Sequence, residues 1–196
     1  MDEELLRALN LGLSAHRGYA DFDSWADRPV RDLGLGRDFV EAVQCQFGVA
    51  VGDIRVTPAG CDPPDLLAST DHGIELTELV DRSQVEAAVR LKRAGQPHGQ
   101  YREWSRDELR EKLSEIIAIK DAARPKVLVP LREYWLVIHT DEPGLSPDLV
   151  RQYLEGWTPR AAILITRCFL MMSYFPGLGR PLFELSVTPG ERPLGL

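Results

Sequence analysis

Hydrophobic positions along this chain follow two spacings, one typical of helices and one typical of strands. Apolar residues three or four apart, often behind a capping residue, predict helices over 2–13, 37–47, 83–94, 105–123 and 146–157. Alternation or short continuous apolar runs predict strands over 54–57, 65–68, 73–79, 127–129, 134–138, 161–169, 171–175 and 182–187. This order predicts an α/β fold in which helices flank a mixed central β-sheet.

The organisation along the chain predicts a single domain over residues 1–196. Residues 1–36 are expected to form an N-terminal helix and an irregular connection rich in Gly, Asp, Pro and Arg, and residues 37–196 are expected to form the α/β core. With 44% hydrophobic and 27% charged residues, the composition is that of an ordinary globular protein. Three cysteines lie far apart, which argues against a disulfide framework and against a structural zinc site.

The apolar segments are too short to predict a membrane span. The longest of them, over 161–172, is interrupted by Arg167, and a span needs about 20 apolar residues. The N-terminus is acidic where a signal peptide would be basic. We therefore expect a protein without membrane association, and the cysteine usage favours the reducing cytoplasm.

Charge is distributed unevenly along the chain. The formal net charge is −7, which disfavours tight unaided binding to nucleic acid, because neutralisation of phosphates supplies most of that affinity. Residues 1–81 carry 6 basic and 16 acidic side chains, whereas residues 82–126 carry 11 basic and 7 acidic ones. The basic segment could present phosphate to a site in the acidic part, or it could be only a solvated helical surface.

Two acidic residues in a predicted hairpin are the strongest candidates for chemistry. Asp65 begins one strand, and Glu75 lies in the alternating run 73–79, with the turn predicted near 69–72. Carboxylates on neighbouring strands can share one cation, and Mg²⁺ usually takes one or two of them together with substrate phosphates. The alternative interpretation is an exposed hairpin with acidic residues on its solvent face.

The spacing of Pro64-Asp65 and Glu75-Leu76-Thr77 resembles the motif of the PD-(D/E)xK nuclease-like superfamily, and the resemblance covers roughly residues 37–170. It implies a restriction-endonuclease-like fold and hydrolysis of phosphodiester bonds in nucleic acid. It also implies that Asp65 and Glu75 are catalytic residues that hold Mg²⁺ or Mn²⁺. The chain departs from the motif at Thr77, which stands where active members have a lysine that positions or deprotonates the attacking water.

Lys120 is the candidate for a relocated catalytic lysine, as in superfamily members that carry it on a neighbouring helix. It continues the apolar stripe of Leu109, Leu113 and Ile116 on the 105–123 helix, so it faces the predicted core. The alternative is a lysine that extends to solvent at a helix C-terminus, where the dipole favours a cation. Lys112 is a weaker candidate on the same helix.

Two further residues are candidates by position. Glu41 on the 37–47 helix is a candidate third metal ligand, because superfamily members often place a glutamate on the helix before the hairpin; the alternative, which its pattern favours, is a solvated helix residue. His139 ends the 134–138 strand and could approach the acidic pair if the strands are neighbours.

These residues leave two functions open. One is a metal-dependent nuclease; the other is an inactive relative that binds a partner, for which Tyr101 and Trp104 beside several arginines would be exposed contact residues. The candidate partners are nucleic acid, another protein or, in a homodimer, a second copy of the chain. A small-molecule enzyme on the same scaffold stays open as a third class, because fold does not fix function.

Overall fold

The structure is a computed structural model that describes residues 28–68, 71–79, 103–123 and 131–188. The helices in these residues are α1 (Arg28–Phe47), α2 (Arg106–Ala122) and α3 (Pro147–Leu154). The strands are β1 (Ile54–Val56), β2 (Leu66–Ala68), β3 (His72–Glu78), β4 (Glu133–Thr140), β5 (Arg167–Met172) and β6 (Leu182–Leu185). The predicted class, an α/β fold with a mixed sheet, is confirmed. The helices predicted over 2–13 and 83–94 and the strand over 127–129 lie outside the described residues.

The six strands form one sheet in the order β1-β2-β3-β4-β5-β6. β1, β2 and β3 pair antiparallel, β3, β4 and β5 pair parallel, and β6 returns antiparallel to β5. The hairpin of β2 and β3 therefore joins the parallel centre of the sheet directly, with its second strand paired to β4.

Helices cover both faces of the sheet. Alternate side chains of β4 point to opposite faces. Trp135 and Val137 pack with Phe39 of α1, whereas Leu136 and Ile138 pack with Leu113 of α2. The result is a three-layer sandwich in which the sheet lies between α1 on one side and α2 with α3 on the other.

Helix α1 begins at Arg28 rather than at Arg37, so the prediction of irregular structure for residues 28–36 was wrong. Pro29 lies in the first turn, where a missing N–H costs no helical hydrogen bond. Gly36 is buried against β2, and a Cβ atom there would come within 2.3 Å of Leu66 Cδ1. This glycine permits close packing of helix on strand, although in sequence it resembles a helix breaker.

The two helices on the other face begin as predicted. Ser105 and Glu108 form a capping box at the start of α2, and the Ser146 side chain accepts from the Leu149 N–H at the start of α3. Lys120 lies in the last turn of α2. Helix α3 ends at Leu154, before the predicted end near Trp157.

The strands predicted over 161–169 and 171–175 are replaced by a single strand, β5. Residues before Arg167 are held in a loop by Asp121 of α2, whose carboxylate accepts hydrogen bonds from the N–H groups of Ile163, Leu164 and Ile165. A side chain thus takes backbone donors that a strand would have paired with its neighbour.

The outer edge of β6 has a side chain hydrogen-bonded along it. Gln46, in the last turn of α1, accepts from the Leu182 N–H at 3.1 Å and donates to the Arg180 carbonyl at 2.7 Å. In the part of the chain that the structure describes, no helix is long and apolar enough to cross a membrane.

Candidate functional site

The hairpin register brings Asp65 and Glu75 together. Leu66 pairs with Ile74, so continuing the antiparallel register by one residue places Asp65 opposite Glu75. Both are buried, at 6% and 5% exposure. Gly73 helps to fix this geometry, because a Cβ atom there would come within 2.8 Å of Pro64 Cγ. Pro64 can therefore pack against β3 immediately before Asp65.

Both oxygens of Asp65 have partners within the described chain. Arg28 Nη2 lies 2.6 Å from Oδ1, and the Leu76 N–H donates to Oδ2 at 2.9 Å. The Arg28 side chain, at the start of α1, is 34% exposed and also pairs with Asp32. The Asp65 carboxylate is therefore fixed in place by a guanidinium group and a backbone N–H, immediately before β2.

Glu75 is paired with a positive charge from α2, which lies on the other side of the sheet from α1. Lys120 Nζ lies 2.5 Å from Glu75 Oε1, and the lysine side chain is 26% exposed. The apolar stripe of α2 thus leads Lys120 to the acidic pair, as the helical spacing predicts. The assignment of Asp65, Glu75 and Lys120 as catalytic residues stays a prediction, but the structure does bring the three side chains together.

The electrostatics of Glu75 are those of an incompletely compensated carboxylate. Burial and then the negative charge of Asp65 raise the pKa of Glu75, and Lys120 opposes this shift. Glu75 Oε2 is buried and has no hydrogen-bond partner among the described residues. Nearly all buried polar atoms in native proteins are hydrogen-bonded, so this oxygen is an exception among them.

Two hydroxyl groups that the sequence analysis did not single out lie next to the pair. Tyr134 of β4 is buried at 3% exposure, and burial followed by the charges of Glu75 and Asp65 raises the pKa of its phenol. Thr57 follows β1, is 7% exposed, and donates its backbone N–H to the Asp65 carbonyl. Their signal in the sequence is weak, because a tyrosine and a threonine are ordinary strand residues.

The acid of α1 that joins this neighbourhood is Asp32, not Glu41. Glu41 is exposed on the helix, whereas Asp32 is 7% exposed and its pKa is raised by burial and then by the charge of Asp65. Glu41 was a candidate from the resemblance, whereas Asp32 lies in the segment before Arg37, which was predicted to be irregular. The structure therefore does not bring Glu41 together with the acidic pair.

Other candidates lie elsewhere. His139 shares the α1 face with Trp135 and Val137, opposite to that of Glu75, and burial lowers its pKa to about 4. Trp104 is 4% exposed, so the prediction that it forms an exposed contact surface was wrong; Tyr101 lies outside the described residues.

Two positions bear on the missing motif lysine. Thr77 is half-buried, lies two residues after Glu75 on β3, and so shares its face of the sheet. Lys112 pairs with Glu115 at 2.8 Å on the exposed side of α2. Among the described residues, Lys120 is the lysine that reaches the acidic pair.

The residues present fit a hard divalent cation in part. Glu75 Oε2 supplies an unpartnered carboxylate oxygen, and Asp65 Oδ1 would become available if the partly exposed Arg28 turned away. Within the described residues, no group of three or more His, Cys, Asp or Glu side chains is arranged to hold a metal. Mg²⁺ sites in proteins commonly use one or two carboxylates and complete the metal's shell with water and phosphate.

Comparison with protein-family models, with curated proteins and with solved structures gave no match.

Proposed function

We propose that the protein is a metal-dependent phosphodiesterase of the nuclease type. The observation that carries the proposal is the contact of 2.5 Å between Lys120 Nζ and Glu75 Oε1, beside a second buried carboxylate on the neighbouring strand. The motif requires two carboxylates on a hairpin and an ammonium group beside them. Here the hairpin supplies Asp65 and Glu75, and α2 supplies the lysine that is missing at Thr77. The substrate class, nucleic acid, comes from the resemblance.

Each side chain has a defined part in this proposal. Asp65 and Glu75 offer oxygen ligands, and a divalent cation, when bound, would polarise a phosphate and lower the pKa of its water. Lys120 holds a positive charge next to Glu75, where it orients a water molecule and stabilises negative charge that develops on phosphate. The carboxylates also repel a phosphate group, so Lys120 limits that repulsion.

The test is cleavage of DNA and RNA by the purified protein with Mg²⁺ or Mn²⁺. Glu75→Ala and Lys120→Met should each lower the rate by at least about 100-fold, as expected for loss of a group that stabilises the transition state. Glu115→Ala and Lys112→Met are the matched controls, because this exposed pair lies on the same helix and away from the site. Absence of Mn²⁺ binding at millimolar concentration by calorimetry would overturn the proposal.

A second candidate, a binding protein that has lost the reaction, is favoured by the ion pair of Arg28 with Asp65. A guanidinium group at 2.6 Å already neutralises the carboxylate that would hold a cation. If the protein is a nuclease, Arg28 competes with the metal for the Asp65 carboxylate. The Arg28→Gln variant should then bind Mn²⁺ several-fold more tightly than the wild type. In the binding protein neither form takes up Mn²⁺, and Asp65→Asn leaves partner binding intact.

A further inference from the structure

An open groove of about 640 Å³ lies along the outer edge of β6. Leu182, Phe183 and Glu184 of β6 form its base, and α3 lines one side. Phe47, the last residue of α1, lines the other side. Because α1 and α3 cover opposite faces of the sheet, a groove that both of them line must lie beyond the edge of the sheet. The groove is therefore at the position that a seventh strand would occupy.

The backbone of β6 presents hydrogen-bonding groups to this groove. The Met172 N–H donates to the Pro181 carbonyl, and hydrogen bonding alternates along an antiparallel pair, so every second residue from Pro181 onward faces β5. Leu182 and Glu184 therefore turn their N–H and C=O groups outward. Among the described residues, none forms a backbone hydrogen bond with the outward groups of Glu184.

Gln46 already forms, on this edge, the hydrogen bonds that a peptide backbone would form. Its amide donates to the Arg180 carbonyl and accepts from the Leu182 N–H, which is the pairing of one residue in an added antiparallel strand. Gln46 is exposed, so its side chain can turn away without opening the core. An extended peptide that displaced it would also gain the groups of Glu184.

The side chains on the two sides of the groove differ in character. On the α1 side, Phe47 is 39% exposed and, with Leu182, makes this side apolar. On the α3 side, Arg151 pairs with Asp148 at 2.6 Å, and among the described residues no cation pairs with the exposed Glu155. Successive side chains of a strand point to opposite faces, so an occupant that alternates apolar and basic residues is complementary to both sides.

We propose that the edge of β6 binds an extended segment of a partner protein in which apolar residues alternate with lysine or arginine. The segment adds a seventh strand to the sheet: backbone hydrogen bonds supply affinity, and the alternating side chains supply specificity. A second copy of the chain is less suitable, because it would bring together two grooves that each contain three carboxylates and one guanidinium group. This surface lies three strands from Glu75 in the sheet, so it does not depend on the proposed reaction.

The first test uses a defined peptide and the full chain. The probe is a fluorescein-labelled hexapeptide that alternates valine and lysine and is blocked at both ends, and its binding is followed by fluorescence anisotropy. One control peptide has glutamate in place of lysine, and a second carries N-methyl groups on its backbone. We expect saturable binding of the probe and at least about 5-fold weaker binding of each control, the equivalent of one lost hydrogen bond or a lost charge pair.

The second test uses variants of the groove. Glu184→Pro removes the outward N–H while leaving the ladder to β5 intact, and Glu184→Ala keeps that N–H. The probe should bind Glu184→Pro at least about 5-fold more weakly than Glu184→Ala. Glu155→Lys should weaken binding, whereas Asp53→Lys, the same kind of charge change at the opposite edge of the sheet, should not. Gln46→Ala should bind the probe more tightly, because it removes a competitor for the edge.

The inference is overturned if the N-methylated peptide binds as tightly as the probe, a comparison that leaves the protein unaltered, or if Glu184→Pro and Glu184→Ala bind the probe equally. A wild-type chain that sediments as a dimer, and that becomes monomeric in Glu184→Pro but not in Glu184→Ala, would assign the edge to a second copy and would also overturn it. Failure of the proposed function is distinct, because these variants leave Asp65, Glu75 and Lys120 unchanged.

Discussion

Two carboxylates near the last turn of α2, those of Asp121 and Glu75, differ in how completely they are hydrogen-bonded. Asp121 accepts three backbone N–H groups, with Leu164 at 2.7 Å and Ile165 at 3.0 Å on Oδ1 and Ile163 at 2.8 Å on Oδ2. Glu75 is more deeply buried, yet it has one ammonium partner on Oε1 and none among the described residues on Oε2. Asp121 has the environment of a structural anchor, whereas the hydrogen bonding of the Glu75 carboxylate is incomplete.

The last turn of α2 carries both Asp121 and the lysine that pairs with Glu75. Lys120 and Asp121 are consecutive, and they reach toward the acidic pair and toward the 163–165 loop respectively. Anchoring of the turn by Asp121 therefore restrains the backbone that carries Lys120. The fully hydrogen-bonded Asp121 thus helps to hold Lys120 beside Glu75, whose own hydrogen bonding is incomplete.

The largest effect is expected from removal of the lysine. Lys120→Met leaves Glu75 buried without its counter-charge, and should lower the free energy of unfolding by about 2–3 kcal/mol, below the range for a fully buried pair because Lys120 is partly exposed. Urea denaturation measures this change. The double variant with Glu75→Gln should recover most of it, and additive losses would contradict the assigned pair.

A smaller loss is expected at the structural carboxylate. Asp121→Ala removes three hydrogen bonds from the 163–165 loop and should cost about 2 kcal/mol, since the freed N–H groups are partly accessible to water. Asp121→Asn keeps one acceptor oxygen and should cost less. Amide hydrogen exchange at Ile163, Leu164 and Ile165 should quicken in Asp121→Ala, and unchanged exchange there would show that Asp121 does not hold the loop.

The smallest expected effect is a pH dependence that Glu75 contributes. Its folded pKa is raised above the ordinary 4.5, so between these two values the folded state binds more protons than the unfolded state. The stabilisation from protonated Glu75 is therefore complete below pH 4.5 and is lost as the pH rises through the folded pKa. The free energy of unfolding of the wild type minus that of Glu75→Gln should fall with rising pH. A difference that rises instead would show that the pKa of Glu75 is lowered.

Glu41→Gln, an exposed substitution on α1, is the control for this titration. This substitution leaves Asp65, Glu75 and Lys120 in place.

The sequence predicted those parts of the site in which local spacing determines position. The hairpin turn sets the register that places Asp65 opposite Glu75, and the stripe of α2 directs Lys120 toward the core. Both follow from the fixed periods of strand and helix. The roles of these residues, in contrast, come from the resemblance to a nuclease motif and remain predictions.

The parts that were missed depend on contacts between segments distant in sequence. The Gly, Asp, Pro and Arg content of the segment before Arg37 indicated an irregular connection, whereas in the structure Gly36 lets α1 pack closely on Leu66. Arg28 and Asp32 lie in that segment and were not among the candidates. The apolar run before Arg167 indicated a strand, because no local pattern shows that Asp121 captures its N–H groups. Tertiary hydrogen bonds and close packing overrode local propensity in both cases.

The glutamine that lies along β6 limits how the sheet can grow. A primary amide presents an N–H donor and a carbonyl acceptor on the same side, as one residue of an antiparallel strand does, and Gln46 uses both on the outward-facing groups of Arg180 and Leu182. A strand from another molecule that paired along this margin would first have to displace the amide. Gln46 thus occupies the backbone groups that a seventh strand would pair with, and it protects the start of this edge from edge-to-edge association.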